Sequence, residues 1–388
     1  MTAPERATPS LPPMKVLSLM SGTSLDGIDA VLAELEVRPA GLTWQVLERR
    51  RQPYAPDLRE RLHQALKPET SDVVLLTQLH AEVGQAYASL ACSLPGPADL
   101  IALSGQTVYH IPHPDPTRGW RTASTLQLGE ASIVAEAART PVLSDFRQGD
   151  MAAGGQGAPM VSFGDLWLYG LPGRARAIHN LGGISNLTYL PAAGEDAGVF
   201  AFDTGPANCL LDEAAARAFG LDHDENGALS AAGRVDNDLL AELMHHPYLA
   251  APPPKTTGRE VFTLPEIEKL ANLSALTPHD LLATLTAFTA ASIARAYHDF
   301  VLPHGLDEVL VAGGGARNQT LMDMLRARLP VPVRTFEEVS WNSADREALA
   351  FAVMAYFGYH GLPNTLPQAT GAAHAAVCGK LSRPWRTS

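Results

Sequence analysis

Four short runs in this chain join glycine to hydroxyl and carboxylate residues in patterns that suit chemistry. The first is MSGTSLDGID, residues 20–29. Its small residues let backbone N–H groups close on an anion, and the hydroxyls of Ser21, Thr23 and Ser24 add donors. Asp26 at the tip suits Mg²⁺, directly or through water, beside phosphates. The same letters also make a plain hairpin turn. The second, AFDTGPAN, sets Asp203 at the end of an apolar strand, ahead of Thr-Gly and a helix start. A carboxylate on so rigid a mount suits a general base for a hydroxyl or water, and a helix N-terminus favours phosphate. An Asp there equally suits a helix cap. The third, VAGGGARN, places Gly313, Gly314 and Gly315 after a buried strand, for close approach to adenosine or the α-phosphate, or for a tight turn. The fourth, residues 144–160, mixes Asp145, Arg147 and Asp150 with several glycines. It reads as a sugar-binding loop, an interlobe hinge or a flexible linker.

Other chemistries lack their signatures. There is no GxxxxGK[ST], no HExxH, no GxSxG and no GxGxxG with a distant ribose-binding acid. Cys92, Cys209 and Cys378 are sparse, odd in number and without a CxxC. They read as reduced, small buried thiols in a cytoplasmic chain.

The elements that must position these runs alternate between strand and helix. From Lys15 an apolar strand, the polar turn and a second apolar run predict a β-hairpin. Three- and four-residue apolar spacing predicts helices over residues 75–92, 279–302 and the ADREALAF segment, with Glu347 on the surface of the last. Strands are expected at 100–104, in PVLSD, over 176–190 broken by GGISN, at 199–203 and in EVLVA. The DTG run should lead into a helix opened by Pro206 and closed by Gly220. The recurrent unit is a strand, a glycine/hydroxyl loop, then a strand or helix. That rhythm means an α/β chain with a cleft between two lobes.

Composition agrees. The 388 residues are 46% hydrophobic and 18% charged, enough chain for about two domains. Lys+Arg 29 against Asp+Glu 41 gives −12, the wrong sign for a nucleic-acid groove. No apolar stretch approaches the ~18–20 residues of a membrane span. Residues 1–13 read as a loose tail.

Taken in order, MSGTSLDGID, GQTVYH, TLQLGE, SDFR, GGQGAPMV, NLGGISNL, DTGPAN, PPKTTGRE, AGGGARN and EALAF resemble the anhydro-N-acetylmuramic acid kinase family, from Lys15 to Gly379. The resemblance implies the two-lobed sugar kinase/Hsp70/actin-like fold, with the nucleotide cleft between mixed-sheet domains. Expected lobes are residues 14–145, completed by about 360–388, and 146–359. It implies that ATP and water convert 1,6-anhydro-N-acetylmuramic acid to N-acetylmuramic acid 6-phosphate in cell-wall recycling, with Asp203 as catalytic base and Mg²⁺ at Asp26. The implied nucleotide contacts are Gly22, Thr23, Ser24, Leu25, Asp26, Gly27, Ile28, Asp29, Ala30, Val31 and Gly205, with Gly313, Gly314 and Gly315 on the adenosine side. Thr107, Arg147 and Glu347 are the implied sugar contacts. A cytoplasmic homodimer is expected, with no nucleic-acid or membrane partner. Two residues depart from the family pattern, Ser104 where His is usual and Glu130 where Asp is usual. A levoglucosan-type kinase and a non-catalytic nucleotide-binding regulator of the same fold stay open as alternatives.

Overall fold

The computed structural model describes residues 10–385 except Thr23, Glu195, Ala271, Ser274 and Ala275. The chain divides into two compact units, Met1–Leu168 with Asp345–Ser388, and Tyr169–Ala344. In chain order the first unit carries β1 (Leu11–Met20), β2 (Gly27–Arg38), β3 (Gly41–Pro53), β4 (Leu100–Leu103), β5 (Gln106–Ile111), β6 (Ser124–Leu128) and β7 (Val142–Ser144). The second carries β8 (Arg176–Leu181), β9 (Ile184–Leu190), β10 (Phe200–Pro206), β11 (Glu308–Ala312) and β12 (Val333–Thr335). β13 (Lys380–Ser382) returns to the first.

The two main sheets repeat one plan. In the first unit the order is β13-β7-β4-β1-β2-β3, in the second β10-β9-β8-β11-β12. In each, three antiparallel strands form a meander whose first strand pairs in parallel with a later one. The SGTSLD turn between β1 and β2 and the Gly182-Gly183 turn between β8 and β9 therefore occupy equivalent positions. The mixed α/β reading, in two compact units, is what the chain forms. Because β1 lies between β2 and β4, its half from Val16 to Met20 is buried without alternation, as central strands require.

Two expectations about boundaries are corrected. The division falls after Leu168 rather than after residue 145, and the first unit resumes at Asp345 rather than near 360. The helix Arg346–Tyr359 is the reason. It is apolar on nearly every side, buries Ala348 to Phe357, and packs on β1, β2 and β4. Phe351 and Phe357 of that helix hold Phe146 and Phe163 at ring distances of 5.4 and 5.2 Å, drawing residues 146–168 into the same core. The run at 144–160 is correspondingly neither linker nor hinge. It opens with a helix, Phe146–Ala152, and its buried Asp150 accepts hydrogen bonds from Gly157 N (2.8 Å) and Thr370 Oγ1 (2.6 Å). β1 begins at Leu11, so the described chain is already structured inside the expected tail, whose residues 1–9 lie outside the described residues.

In the second unit the longest helix, Pro278–Phe300, has Thr277 as its N-cap, Pro at its first position and Asp280 in its first turn. Thr277 Oγ1 accepts from Asp280 N–H at 3.2 Å, a local start signal that the sequence carries in full. Pro206, by contrast, ends β10 instead of opening the next helix, Asn208–Phe219, which Gly220 closes in the left-handed region as expected.

The ion pair Arg346–Asp165 is buried at both ends, 3% and 0% exposed, with bonds of 2.9 and 2.5 Å. Removing Arg346 takes the bidentate counter-charge from a fully buried carboxylate, so Arg346→Met should cost about 3–5 kcal/mol of stability. Urea unfolding measures this; a loss under about 1 kcal/mol would contradict the role given to the pair.

Candidate active site

Asp203 lies near the C-terminal end of β10, where a bulge interrupts the pairing with β9 between Asp203 and Gly205. Thr204 is the extra residue, and its hydroxyl is fixed 2.5 Å from Ser185 Oγ. Behind it a buried chain runs from Ser185 to His179 Nε2 (2.7 Å) and from His179 Nδ1 to Tyr297 OH (3.0 Å). The bulge is thus anchored from inside while the half-buried Asp203 carboxylate faces the Pro-rich loop.

That loop grips Asp203 on both sides. Thr257 N–H donates to Asp203 Oδ2 at 2.8 Å, Asp203 N–H donates to the Lys255 carbonyl at 3.1 Å, and Tyr248 OH donates to the Asp203 carbonyl at 2.8 Å. Lys255 Nζ is itself buried against the Tyr248, Phe300 and Phe202 rings at 4.8, 5.3 and 5.8 Å. Burial raises the Asp203 carboxyl to about 6, against the opposing pull of Thr257 N–H and Lys255. Burial likewise lowers the Lys255 ammonium to about 8. A carboxylate ionised at neutral pH, yet far more basic than a solvated Asp, is the form a general base needs.

The remaining glycine runs of the second unit meet one another. Gly313 has φ +92°, and a Cβ there would stand 2.7 Å from both Asn180 Oδ1 and the Leu181 carbonyl. Gly315 packs equally close to Leu181 and Asn208. The triple glycine therefore lies directly on the β8–β9 turn. Beside it opens a cavity of about 290 Å³, walled by Asn208, Asp212, His223, Gly314, Gly315 and Arg317 among others. Gly205 is not open to a ligand; it is buried against Leu249 and Ser292. The helix after DTG does not offer its first amides either, because Ala207, Asn208 and Cys209 N–H already donate to the Gly182 and Gly183 carbonyls.

In the first unit the turn after β1 is shorter than residues 22–31. Gly27 to Val31 belong to β2, and the side chains of Leu25, Ile28, Ala30 and Val31 are core. Gly22, Ser24 and Asp26 form the accessible part; Thr23 lies outside the described residues. Ser21 does not offer its hydroxyl, which is buried between Tyr54 OH (2.8 Å) and Tyr87 OH (2.7 Å). The turn is held from beneath instead: Ser104 Oγ accepts from Ser21 N–H at 3.1 Å, and Gln106 Nε2 donates to the Gly22 carbonyl at 3.0 Å. Asp26 and Asp29 share Arg51 at 3.7 and 3.5 Å, and Asp26 also meets Arg59 at 3.4 Å. No group of three or more metal-ligating side chains forms among the described residues. Two partly exposed carboxylates do suit a hydrated Mg²⁺, which takes one or two carboxylates and otherwise water and phosphate oxygens.

The three expected sugar contacts belong to this unit as well. Thr107 Oγ1, on β5, accepts from Gln127 Nε2 at 3.2 Å. Arg147 Nη1 donates to the Gly157 carbonyl at 2.6 Å, and Glu347 and Asp150 offset the lowering that burial imposes on its guanidinium. Glu347 is exposed in the first turn of its helix, as its place in the sequence suggested. His110 joins this group without having been singled out. Its Nδ1 lies 3.0 Å from Thr125 Oγ1, and burial with Arg147 lowers it to about 4, so it is neutral. The departing residue Glu130 caps the helix Ala131–Ala138 and reaches His80 at 3.1 Å. Cys378 is buried as expected, but Cys92 is exposed.

A family model described as anhydro-N-acetylmuramic acid kinase matches residues 14–383. The chain belongs to the anhydro-N-acetylmuramic acid kinase family. An anhydro-N-acetylmuramic acid kinase from Caldanaerobacter subterraneus subsp. tengcongensis is 39% identical over 381 residues, covering 95% of this chain and 96% of its own. A Bacillus cereus (strain Q1) protein of the same name is 39% identical over 383 residues, covering 96% and 100%. Among solved structures, a ROK family glucokinase from Streptomyces griseus covers 88% of this chain and 98% of its own at 13% identity, with a TM-score of 0.36, too distant to add to the assignment.

Within this kinase family assignment, the residues that sequence reasoning passed over are Tyr248, Lys255 and Thr257. The PPKTTGRE run marked their loop, but two of the three bonds to Asp203 come from main-chain atoms or the main-chain carbonyl, which side-chain identity does not announce. A general base at Asp203 has to be ionised, so in that role kcat/KM should fall about tenfold per pH unit below about pH 6. Lys255→Met removes a charge that favours the ionised form, so its acid limb should move to higher pH. Rate profiles in which the two proteins share one acid limb would contradict the electrostatic role of Lys255.

Proposed function

We propose that this kinase uses ATP and water to open 1,6-anhydro-N-acetylmuramic acid and phosphorylate O6, giving N-acetylmuramic acid 6-phosphate and ADP for cell-wall sugar recycling. Family membership supports the reaction, and one local observation carries the mechanism: a strand-end carboxylate, clamped by a loop and made basic by burial to about 6.

Asp203 takes a proton from water as the water oxygen bonds to the anomeric carbon C1. The C1–O6 bond breaks, its electron pair stays on O6, and O6 attacks the γ-phosphorus. The bond from phosphorus to the β–γ bridging oxygen breaks, and ADP leaves. Asp203 returns its proton to solvent before the next turnover. Most of the acceleration comes from positioning and from charge stabilisation around the phosphoryl group.

In this reading the cavity beside Gly314 and Gly315 takes the nucleoside, with Asp212 and Asn208 available to hydroxyl and amino groups. The turn at Gly22 to Asp26 offers backbone N–H groups to phosphate. Mg²⁺, when bound, neutralises charge on the phosphates; Asp26 and Asp29 would hold it through its water shell. Thr107, Arg147 and Glu347 contact the sugar, and the Arg147 guanidinium suits the lactyl carboxylate. That last assignment separates this substrate from levoglucosan, which has no carboxylate. Free Cys92, Cys209 and Cys378 suit a reducing cytoplasm. No helix among the described residues is long and apolar enough to cross a membrane. A homodimer is part of the same reading, and light scattering reads it directly.

Coupled ADP release across anhydro-sugars tests the proposal. The muramic acid derivative should be turned over faster than levoglucosan, and Asp203→Asn should retain ATP binding while losing about 10²–10⁴-fold in kcat. Turnover of levoglucosan alone would overturn the substrate, and near-normal turnover by Asp203→Asn would overturn the base.

A further inference from the structure

In the second unit the Arg259 guanidinium has no hydrogen-bond or ion-pair partner among the described residues. The main-chain carbonyl of Arg259 accepts from Phe262 N–H at 3.1 Å, and the residue is exposed to solvent. Its position is nevertheless specific. A Cβ on Gly183 would stand 2.5 Å from Arg259 Nε, 2.8 Å from Cζ and 2.8 Å from Nη2, so the guanidinium lies flat against the glycine turn between β8 and β9. A side chain at residue 183 would displace it.

The surroundings give this placement a direction. The same turn touches the triple glycine through Leu181, and the triple glycine walls the nucleoside cavity. Arg259 acts electrostatically on Asp212 of that cavity and on Cys209 at the start of the adjoining helix. On its other side it follows Thr257, whose N–H holds Asp203, by two residues. The guanidinium is thus mounted on a loop tied at one end to the base and lying over the turn equivalent to SGTSLD. The first amides of the nearby helix are already spent on the Gly182 and Gly183 carbonyls, which leaves the guanidinium as the charged donor on this turn.

We propose that Arg259 binds the γ-phosphoryl group of ATP and stabilises the charge that develops on it during transfer. The inference rests on the ATP-dependent reading of this site and adds a catalytic residue to it. As O6 bonds to phosphorus and the bond to the β–γ bridging oxygen breaks, the guanidinium donates to the non-bridging oxygens and keeps all its protons. Its planar fork matches two such oxygens, whereas a lysine offers only a point charge.

Arg259→Ala and Arg259→Lys, with wild type as reference, provide the test. Coupled ADP release with the anhydro-sugar gives kcat, and calorimetry gives affinities for ADP and for the β,γ-imido analogue of ATP, each with Mg²⁺. Arg259→Ala should lose about 10²–10³-fold in kcat. It should weaken the analogue about tenfold while ADP changes less than about threefold. Arg259→Lys should stay below about a tenth of wild-type kcat, and millimolar methylguanidinium should raise turnover of the alanine variant. Arg259→Ala within about threefold of wild type, or equal losses for ADP and analogue with a lowered melting temperature, would overturn the proposal. Absence of sugar turnover by wild type would instead overturn the substrate reading. The ratio of analogue to ADP affinity would still report on Arg259.

Discussion

The proposed function of this protein depends on how one carboxylate is held. Asp203 is fixed by its own peptide N–H, by its carbonyl and by one carboxylate oxygen, all to the loop and helix that follow it far along the chain. Thr204, beside it in the bulge, is locked from the core through Ser185, His179 and Tyr297. A carboxylate fixed on so many sides loses solvent without losing its position. The lost solvent makes it basic, and the fixed position is what the proposed attack by a single water molecule requires.

The second constraint is charge. A chain of net charge −12 has, in the proposed reaction, a polyanion to bind. The sheets repeat one strand plan, and each sets a glycine-containing turn after its central strand. Such turns let main-chain donors or an unpaired guanidinium approach phosphate where side chains would block it. In the proposed reading, local arrangement rather than the long-range field carries the recognition.

The parts legible in the sequence were those whose chemistry is contiguous. DTG and GGG announce themselves because strand, glycine and carboxylate are neighbours in the chain, and the Thr277-Pro278 helix start is equally local. What could not be read is set by atoms without residue identity or by partners far away. The clamp on Asp203 uses main-chain groups some fifty residues distant, as the Asp203–Thr257 bond does. Ser21 looks like a phosphate donor until Tyr54 and Tyr87 enclose it. The unit boundary moved because an all-round apolar helix, Arg346–Tyr359, signals burial without saying in which unit it is buried. For a related reason the sequence did not show that Gly205 is packed against Leu249 and Ser292, or that the first amides of the helix at Asn208 donate to Gly182 and Gly183.

The proposed reaction, in which Asp203 drives water onto C1 while phosphate goes to O6, fixes where each oxygen ends. A single turnover in H₂¹⁸O, quenched before the anomeric hydroxyl exchanges with solvent, reads it by mass spectrometry. The account predicts one heavy oxygen in each sugar product, on C1, with none in the transferred phosphate, and no labelled product from Asp203→Asn in the same interval. A heavy oxygen in the phosphate, or an unlabelled anomeric position, would contradict it.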